Sequence, residues 1–265
     1  MQFGLSSILM RTLLSIFAIG AAVYAGLCAW LYATQRSQIY FRTPASDQPG
    51  AEPLWLESEG ERIKVWSVLR DGPRALIYFG GNAEDVAGNI DLFWSMFPDH
   101  SLYLVNYRGY GGSSGQPSET ALRADALAIH AHVRALHTEV SVMGRSLGAG
   151  VAVYLASERP VTRLVLVTPF DSLASVAQAH MGWLPVQWLL KDRYDSASRV
   201  HRIRAPVLVV VAAEDEIVPR ARTDALVGEF RPGQARVVVI PGATHNTLDL
   251  SPKYLQSVRA FLAER

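Results

Sequence analysis

The chain has 265 residues, of which 49% are hydrophobic and 18% are charged, and its formal net charge is +1. Its lysines and arginines are scattered rather than interleaved with aromatic residues, which argues against a nucleic-acid surface, and a single cysteine, Cys28, excludes an intrachain disulfide. We find no internal repeat, low-complexity tract or long run of like charge. The composition predicts one globular domain, residues 37–265, behind an amino-terminal segment, residues 1–36.

The amino-terminal segment is almost wholly apolar from Thr12 to Ala33, and no charged residue lies between Arg11 and Arg36. About 22 residues form a helix about 33 Å long. A bilayer core is ~30 Å thick, so this length is enough to cross it. The segment is therefore predicted to be a single-pass transmembrane helix.

The sequence also bears on the cleavage and the orientation of this segment. Val23-Tyr24-Ala25 fits a signal-peptidase site, but the apolar run continues beyond it, which favours an uncleaved anchor. Arg11 on one side nearly balances Arg36 and Arg42 on the other. We expect a short tail inside and an extracytoplasmic domain, as in most signal anchors.

After a turn-rich stretch, Thr43 to Pro53, apolar β-like segments alternate with helical patterns. The first two segments are short and follow each other directly, which predicts leading antiparallel strands, and the later ones require crossovers in a mostly parallel sheet. We therefore predict an α/β fold with a central sheet flanked by helices. The predicted strands are Leu54 to Leu56, Ile63 to Leu69, Ala75 to Phe79, Leu102 to Asn106, Val140 to Met143, Leu164 to Val167, Val207 to Val211 and Arg236 to Ile240. The predicted helices are Ala83 to Phe97, Ser118 to Leu136, Ser146 to Glu158, Arg220 to Glu229 and Pro252 to Ala263.

The loop after the strand Ala75 to Phe79 reads Gly80-Gly81-Asn82. Two glycines allow the backbone to approach a substrate closely, so Gly80 and Gly81 are predicted substrate-binding residues. The backbone N–H of Asn82 is the predicted donor to an oxyanion. An ordinary Gly-Gly-Asn turn has the same sequence, and only its place between a strand and a helix favours the functional interpretation.

Gly144-Arg145-Ser146-Leu147-Gly148 follows the strand Val140 to Met143 and opens a helix of small residues. The pattern G-x-S-x-G between a strand and a helix predicts a nucleophile elbow, where a sharp turn holds the serine hydroxyl outward and leaves no room for a Cβ at either glycine. Ser146 is the predicted nucleophile. Leu147, the next residue, is expected to donate a second backbone N–H to the oxyanion.

Residues 171–205 form an insertion between two strands and are predicted to be a small lid. Its apolar residues suit a hydrophobic or acyl substrate, or they pack the lid onto the core. They are Met181, Trp183, Leu184, Val186, Trp188, Leu189 and Leu190.

A serine nucleophile requires a histidine base and an acid that orients it, and both are expected at the carboxyl ends of later strands. Asp215 follows the strand Val207 to Val211 and is the predicted acid. Glu214, Glu216 and, one strand earlier, Asp171 stay open as alternatives.

His245 follows the last predicted strand by a short Gly-containing loop and is the predicted base. The other six histidines occupy a helical segment, connections or the insertion, where solvent-facing or structural roles are expected. They are His100, His130, His132, His137, His180 and His201.

Taken in order, these motifs resemble the α/β-hydrolase superfamily over residues 38–263, and more narrowly the membrane-anchored serine hydrolases of the BEM-like and serine-aminopeptidase-like type. The motifs are Tyr78 to Ala83, Asn106 to Gly111 with Ser113 to Pro117, Gly144 to Gly148, Thr168 to Leu173, Asp192 to Ser196, Glu214 to Pro219 and Gly242 to Asn246. The resemblance implies an α/β-hydrolase fold, with Ser146, Asp215 and His245 as the triad and Asn82 and Leu147 as the oxyanion hole. Many relatives carry His-Gly where this chain has Gly80-Gly81.

The expected activity is hydrolysis of a carboxylic ester or thioester by Ser-His-Asp acyl transfer, on a small-molecule or lipid substrate near the membrane. Peptidase activity is the alternative within enzymes, and a non-catalytic binding protein on the same fold is the alternative outside them. No cofactor and no metal are expected, because the sequence has neither clustered His/Cys ligands nor a phosphate-binding loop followed by Lys-Ser/Thr.

Overall fold

The computed structural model of the protein describes residues 2–48 and 51–264. Within these residues eight strands form one sheet in the order β1-β2-β4-β3-β5-β6-β7-β8. The strands are β1 (Glu52–Ser58), β2 (Glu61–Val68), β3 (Arg74–Phe79), β4 (Ser101–Val105), β5 (Glu139–Arg145), β6 (Leu164–Val167), β7 (Val207–Ala212) and β8 (Ala235–Ile240). Pairing of β1 with β2 and of β2 with β4 is antiparallel, and the remaining pairs are parallel. The predicted mostly parallel α/β sheet is confirmed.

The helices are α1 (Gln2–Ile39), α2 (Ile90–Met96), α3 (Glu119–Leu136), α4 (Leu147–Glu158), α5 (Leu173–His180), α6 (Val186–Leu189), α7 (Arg220–Gly228) and α8 (Pro252–Ala263). Short 3₁₀ turns lie at Val86–Asn89, Val200–Arg202 and Leu248–Leu250. The Ser118 hydroxyl accepts a hydrogen bond from Ala121 N and so caps α3 at its start. Pro252 occupies the first turn of α8, where a missing N–H costs nothing.

The core lies on both faces of the sheet, because successive residues of each buried strand point to opposite sides. In β3, Ala75 and Ile77 pack on the face that carries α3 and α4. Leu76 and Tyr78 pack on the face that carries α2 and α8. The sheet is therefore packed on both faces. Because β3, β5, β6, β7 and β8 are parallel, their carboxyl ends lie at one edge of the sheet.

The predicted helix from Ala83 to Phe97 is shorter in the structure. Ala83 has a left-handed φ of 60°, which a helix cannot continue through. Asp85 then takes an extended conformation and caps the turn Val86–Asn89 with its side chain, which accepts from Ala87 N at 3.1 Å. The α-helix proper therefore begins at Ile90.

The amino-terminal helix is longer than predicted. It extends past Ala33 to Ile39, and from Ile8 to Ile39 it is long and apolar enough to cross a membrane by length and composition. Tyr40, the next residue, is buried in the domain, and its hydroxyl lies 2.9 Å from that of Tyr194. In the predicted turn region Thr43 to Pro53, residues 49 and 50 lie outside the described residues.

Candidate active site

Ser146 occupies a strained turn between β5 and α4. Its φ of 51° and ψ of −115° lie outside the regions that L-residues favour. A Cβ at Gly144 would lie 2.3 Å from Gly148 O, and one at Gly148 would lie 2.1 Å from Phe79 O. Both distances are far below contact, so the structure requires glycine on either side of Ser146, as the elbow prediction demands.

Asp215 and His245 come together from the loops that follow β7 and β8. His245 Nδ1 lies 2.9 Å from Asp215 Oδ2 and 3.0 Å from Oδ1, and both side chains are almost fully buried. Asp215 Oδ1 also accepts hydrogen bonds from the backbone N–H groups of Ile217, at 3.0 Å, and Val218, at 2.8 Å. These donors fix the carboxylate against the imidazole.

The alternative acids do not hold the imidazole. Asp171 Oδ2 instead accepts from Arg222 Nη1 at 3.2 Å. Glu216 Oε2 reaches only the backbone N–H of His245, at 3.4 Å, and Glu214 is exposed.

The other histidines lie apart from this pair. His130 contacts Pro160 O, His137 contacts the Tyr103 hydroxyl, and His180 contacts Ile217 O. His100 is buried against Phe97.

The serine and the imidazole are not hydrogen-bonded in this conformation, since among the described residues the Ser146 hydroxyl has no hydrogen-bond partner and His245 Nδ1 is bonded to Asp215. Arg145, the residue before the serine, connects the elbow to the loop that carries His245. Its Nη2 donates to His245 O at 3.1 Å, and its Nη1 lies 3.6 Å from Glu84 Oε2. General-base catalysis requires Nε2 to come within hydrogen-bond reach of Oγ, a contact that often tightens only when substrate is bound.

Glu84 organises the loop after β3. Its carboxylate accepts hydrogen bonds from the Tyr78 hydroxyl and from Gly81 N, both at 2.6 Å, and from Asn89 Nδ2 at 2.7 Å. Burial, reinforced by this carboxylate, raises the pKa of Tyr78 well above its usual value, which keeps the phenol protonated as a donor. Sequence reasoning missed Glu84 and Arg145, because nothing in a lone loop Glu or in the variable position of G-x-S-x-G signals a partly buried ion pair.

The two candidate oxyanion donors border the same cavity. Leu147 is the first residue of α4, so its N–H has no partner within the helix. Asn82 is held by its side chain: Nδ2 donates to Ile39 O at 2.6 Å, and Oδ1 accepts from Phe41 N at 3.0 Å and from the Tyr110 hydroxyl at 2.9 Å. Asn82, Ser146 and Leu147 all line the cavity described below.

Gly80 and Gly81 make their contacts within the loop after β3, and their contact with a substrate stays a prediction. Gly81 N is already bonded to Glu84, and Gly80 O accepts from the Tyr107 hydroxyl at 2.7 Å. A Cβ at Gly80 would lie 2.6 Å from Val86 Cγ1. These glycines serve close packing within the loop, and neither lines the cavity.

A cavity of about 350 Å³ opens above Ser146, between the insertion predicted to be a lid, residues 171–205, and the end of α1. The lid contributes α5, α6 and the segment between them, including Met181 and Leu184, while α1 contributes Leu31, Gln35, Gln38 and Ile39. No charged residue lines this cavity within the part of the chain that the structure describes. Its walls suit an apolar chain, with polar groups gathered at the serine end.

The described residues contain no group of three or more His, Cys, Asp or Glu side chains placed to hold a metal ion.

The chain is similar to known proteins both in sequence and in fold. No family model matches the chain. The uncharacterized protein Rv2307c of Mycobacterium tuberculosis is 36% identical over 269 residues, covering 95% of each chain. Protein bem46 of Schizosaccharomyces pombe is 28% identical and covers 71% of this chain and 67% of its own length. The esterase Pf2001 of Pyrococcus furiosus superposes with a TM-score of 0.68 at 18% identity, over 84% of this chain and 97% of that one.

The chain belongs to the α/β-hydrolase superfamily. Such hydrolases place their reactive residues in loops at the carboxyl ends of the strands. In this sheet the elbow follows β5, and Asp215 and His245 follow β7 and β8. Because the match to Rv2307c covers 95% of this α/β hydrolase, it includes part of the amino-terminal helix α1. The predicted resemblance to BEM-type proteins is confirmed.

Proposed function

We propose that this α/β hydrolase is a membrane-anchored serine hydrolase that cleaves a carboxylic ester or thioester with an apolar acyl group. The observation that carries the proposal is the buried His245–Asp215 pair, linked through Arg145 to a serine on a strained elbow at the base of an apolar cavity. A helix long enough to cross a bilayer supports the anchor. The extracytoplasmic location of the domain stays a prediction.

In the proposed reaction, His245 Nε2 accepts the Ser146 proton as Oγ attacks the carbonyl carbon. The backbone N–H groups of Leu147 and Asn82 bind the oxyanion, and Asp215 stabilises the imidazolium. The imidazolium then protonates the departing alkoxide or thiolate, which leaves an acyl-enzyme. Water, deprotonated by His245, attacks this ester, and the serine regains its proton as the acid is released.

An aminopeptidase is less well supported. Recognition of a substrate's α-ammonium group requires a carboxylate or several acceptors facing it. The described lining of the cavity contains no Asp or Glu, and its polar side chains are Asn82, Gln35, Gln38 and Ser146. Two of these four already use their amide oxygen, since Asn82 Oδ1 accepts from Phe41 N and Gln35 Oε1 accepts from Lys191 N. Apolar walls from the lid and α1 favour an acyl chain instead.

Labelling of the full-length protein with a fluorophosphonate probe tests the proposal. Covalent labelling requires an activated serine, so it is expected in the wild type and lost in Ser146→Ala and His245→Ala. Ser95→Ala and His201→Ala, which change exposed residues away from the cavity, are the matched controls and should label like the wild type. A series of p-nitrophenyl esters then gives the chain-length preference.

Labelling that persists in Ser146→Ala would move the nucleophile elsewhere. A folded wild type that neither labels nor hydrolyses any ester would favour a binding protein on this fold.

A further inference from the structure

The lid presents an unusual apolar surface to the outside. Residues 181–190 contain no charged side chain, and Trp188 and Trp183 are 89% and 62% exposed. Neither tryptophan lines the cavity, so neither is accounted for by the proposed substrate pocket. A solvated protein seldom leaves two large aromatic side chains this exposed on one small element without a partner.

One side of this exposed surface borders α1. The Tyr24 hydroxyl donates to Trp183 O at 2.9 Å, and the two rings are 6.5 Å apart. Gln35 donates to Leu189 O at 3.0 Å, and its Oε1 accepts from Lys191 N at 2.7 Å. From Tyr24 to Gln35 the lid therefore follows the helix for about 16 Å, at 1.5 Å per residue.

The spacing of charges along α1 sets how deep the lid must lie. Arg11 and Arg36 bound an uncharged stretch about 36 Å long, against ~30 Å of hydrocarbon. Arg11 is costly inside the bilayer and belongs at one headgroup layer. Tyr24 is then about 20 Å further along, which places it, with Trp183 beside it, within the hydrocarbon or at its second boundary.

The polar groups that follow the apolar surface fit the headgroup layer. Arg36 forms a two-pronged ion pair with the buried carboxylate of Asp192, at 2.9 and 3.2 Å. Lys191, on the other side of Asp192, places its ammonium 4.0 Å from the Tyr32 ring centroid, and Arg193 is exposed nearby. Tryptophan, tyrosine and basic residues at one level are typical of a membrane interface.

We infer that the Trp183–Trp188 surface of the lid is inserted in the same bilayer that α1 crosses, and that the acyl group hydrolysed at Ser146 belongs to a lipid of that bilayer. The insertion rests on the membrane anchor of the proposed function, and the lipid assignment rests on its hydrolytic activity. Leu31 and Ile39 of α1 form one wall of the cavity and the lid forms the other, so the cavity lies between two elements that both contact lipid. The chain of a membrane lipid reaches the serine between them without passing through water.

The first test measures insertion without using activity. The full-length protein is reconstituted in phosphatidylcholine vesicles with and without brominated acyl chains, which quench tryptophans that contact lipid. Trp183→Phe/Trp188→Phe should lose a large part of the bromolipid-dependent quenching. Trp55→Phe/Trp94→Phe is the matched control, since these two residues are 41% and 40% exposed and their rings lie against Arg62 and Arg70 rather than on the lid, and it should keep wild-type quenching. Unchanged quenching in the lid variant would overturn the insertion.

The second test measures the substrate source. Trp183→Ser/Trp188→Ser should hydrolyse a long-chain 4-methylumbelliferyl ester in phosphatidylcholine vesicles about tenfold more slowly, with its rate on the water-soluble butyrate ester unchanged. Equal losses on both esters, or faster turnover of a palmitoylated peptide than of the vesicle ester, would overturn the lipid assignment. Lid-dependent quenching in a protein that hydrolyses neither ester would refute the proposed function and leave the insertion standing.

Discussion

Asp215→Asn is the substitution whose effect follows most directly from the geometry. Both carboxylate oxygens of Asp215 lie near His245 Nδ1, Oδ2 at 2.9 Å and Oδ1 at 3.0 Å, and only Oδ1 also accepts from the N–H groups of Ile217 and Val218. In the variant, the amide oxygen must take the Oδ1 position, because an NH₂ group there would oppose two donors. The amide NH₂ is thereby forced towards Nδ1.

An NH₂ donor at that position makes Nδ1 an acceptor and places the ring hydrogen on Nε2. Nε2 is then unable to accept the Ser146 proton. In serine proteases the equivalent change to the wrong tautomer lowers kcat by about 10⁴-fold. We expect kcat/KM to fall by about 10³- to 10⁴-fold, which corresponds to about 4 to 5 kcal/mol of transition-state stabilisation.

Initial rates on a soluble p-nitrophenyl ester at pH 8, together with a thermal melt to confirm folding, measure this effect. Asp171→Asn is the matched control: its carboxylate pairs with Arg222 rather than with His245, so we expect a change of about threefold or less. A loss below tenfold in Asp215→Asn, or a larger loss in Asp171→Asn, would refute the assignment of the acid.

Two further predictions concern stability. Gly148→Ala would place a Cβ 2.1 Å from Phe79 O and should lower the free energy of unfolding by about 3 kcal/mol. Gly228→Ala is the control, because a Cβ there meets no atom within 4 Å, and it should change the free energy of unfolding by less than about 1 kcal/mol. Urea denaturation of both variants measures the difference, and similar values for the two would contradict the packing argument. Burial, with a smaller effect of Arg74, lowers the pKa of His100 to about 4. Between about pH 6.5 and about pH 4 the unfolded chain binds a proton that the folded chain does not, so the free energy of unfolding decreases as the pH is lowered, by up to about 1.4 kcal/mol per pH unit. His100→Gln should reduce that slope by one proton. An unchanged slope would show that His100 titrates normally.

Much of the sheet was predictable because buried parallel strands are continuous apolar runs bounded by turn residues. All the predicted strands are present, with their ends shifted by a few residues at most. The meeting of Asp215 with His245 followed from placing both residues after neighbouring strands, since the carboxyl ends of parallel strands share one edge. The apolar strand runs thus predicted the sheet, and the parallel topology predicted the Asp215–His245 pair.

Contacts between distant segments were not predictable. The Arg145–Glu84 pair joins an elbow to a loop, and neither residue lies in a pattern that depends on the other. Ala83 ends the loop through a left-handed φ that is uncommon for alanine, so helix propensity placed the start of α2 too early. The contribution of α1 to the cavity was missed because an apolar helix long enough for a bilayer gives no sign that its last turns also pack on a lid.

The direct passage from α1 into the domain bears on how the enzyme should be assayed. α1 is continuous to Ile39, Tyr40 is already buried, and Arg36 is bound to Asp192, so no flexible linker separates the helix from the domain. On the proposed placement the domain stays at the membrane surface and meets substrates that diffuse within the bilayer. The variable that sets its rate is then the mole fraction of substrate among the neighbouring lipids, and adding inert lipid at constant bulk substrate concentration should slow turnover as dilution slows a soluble enzyme.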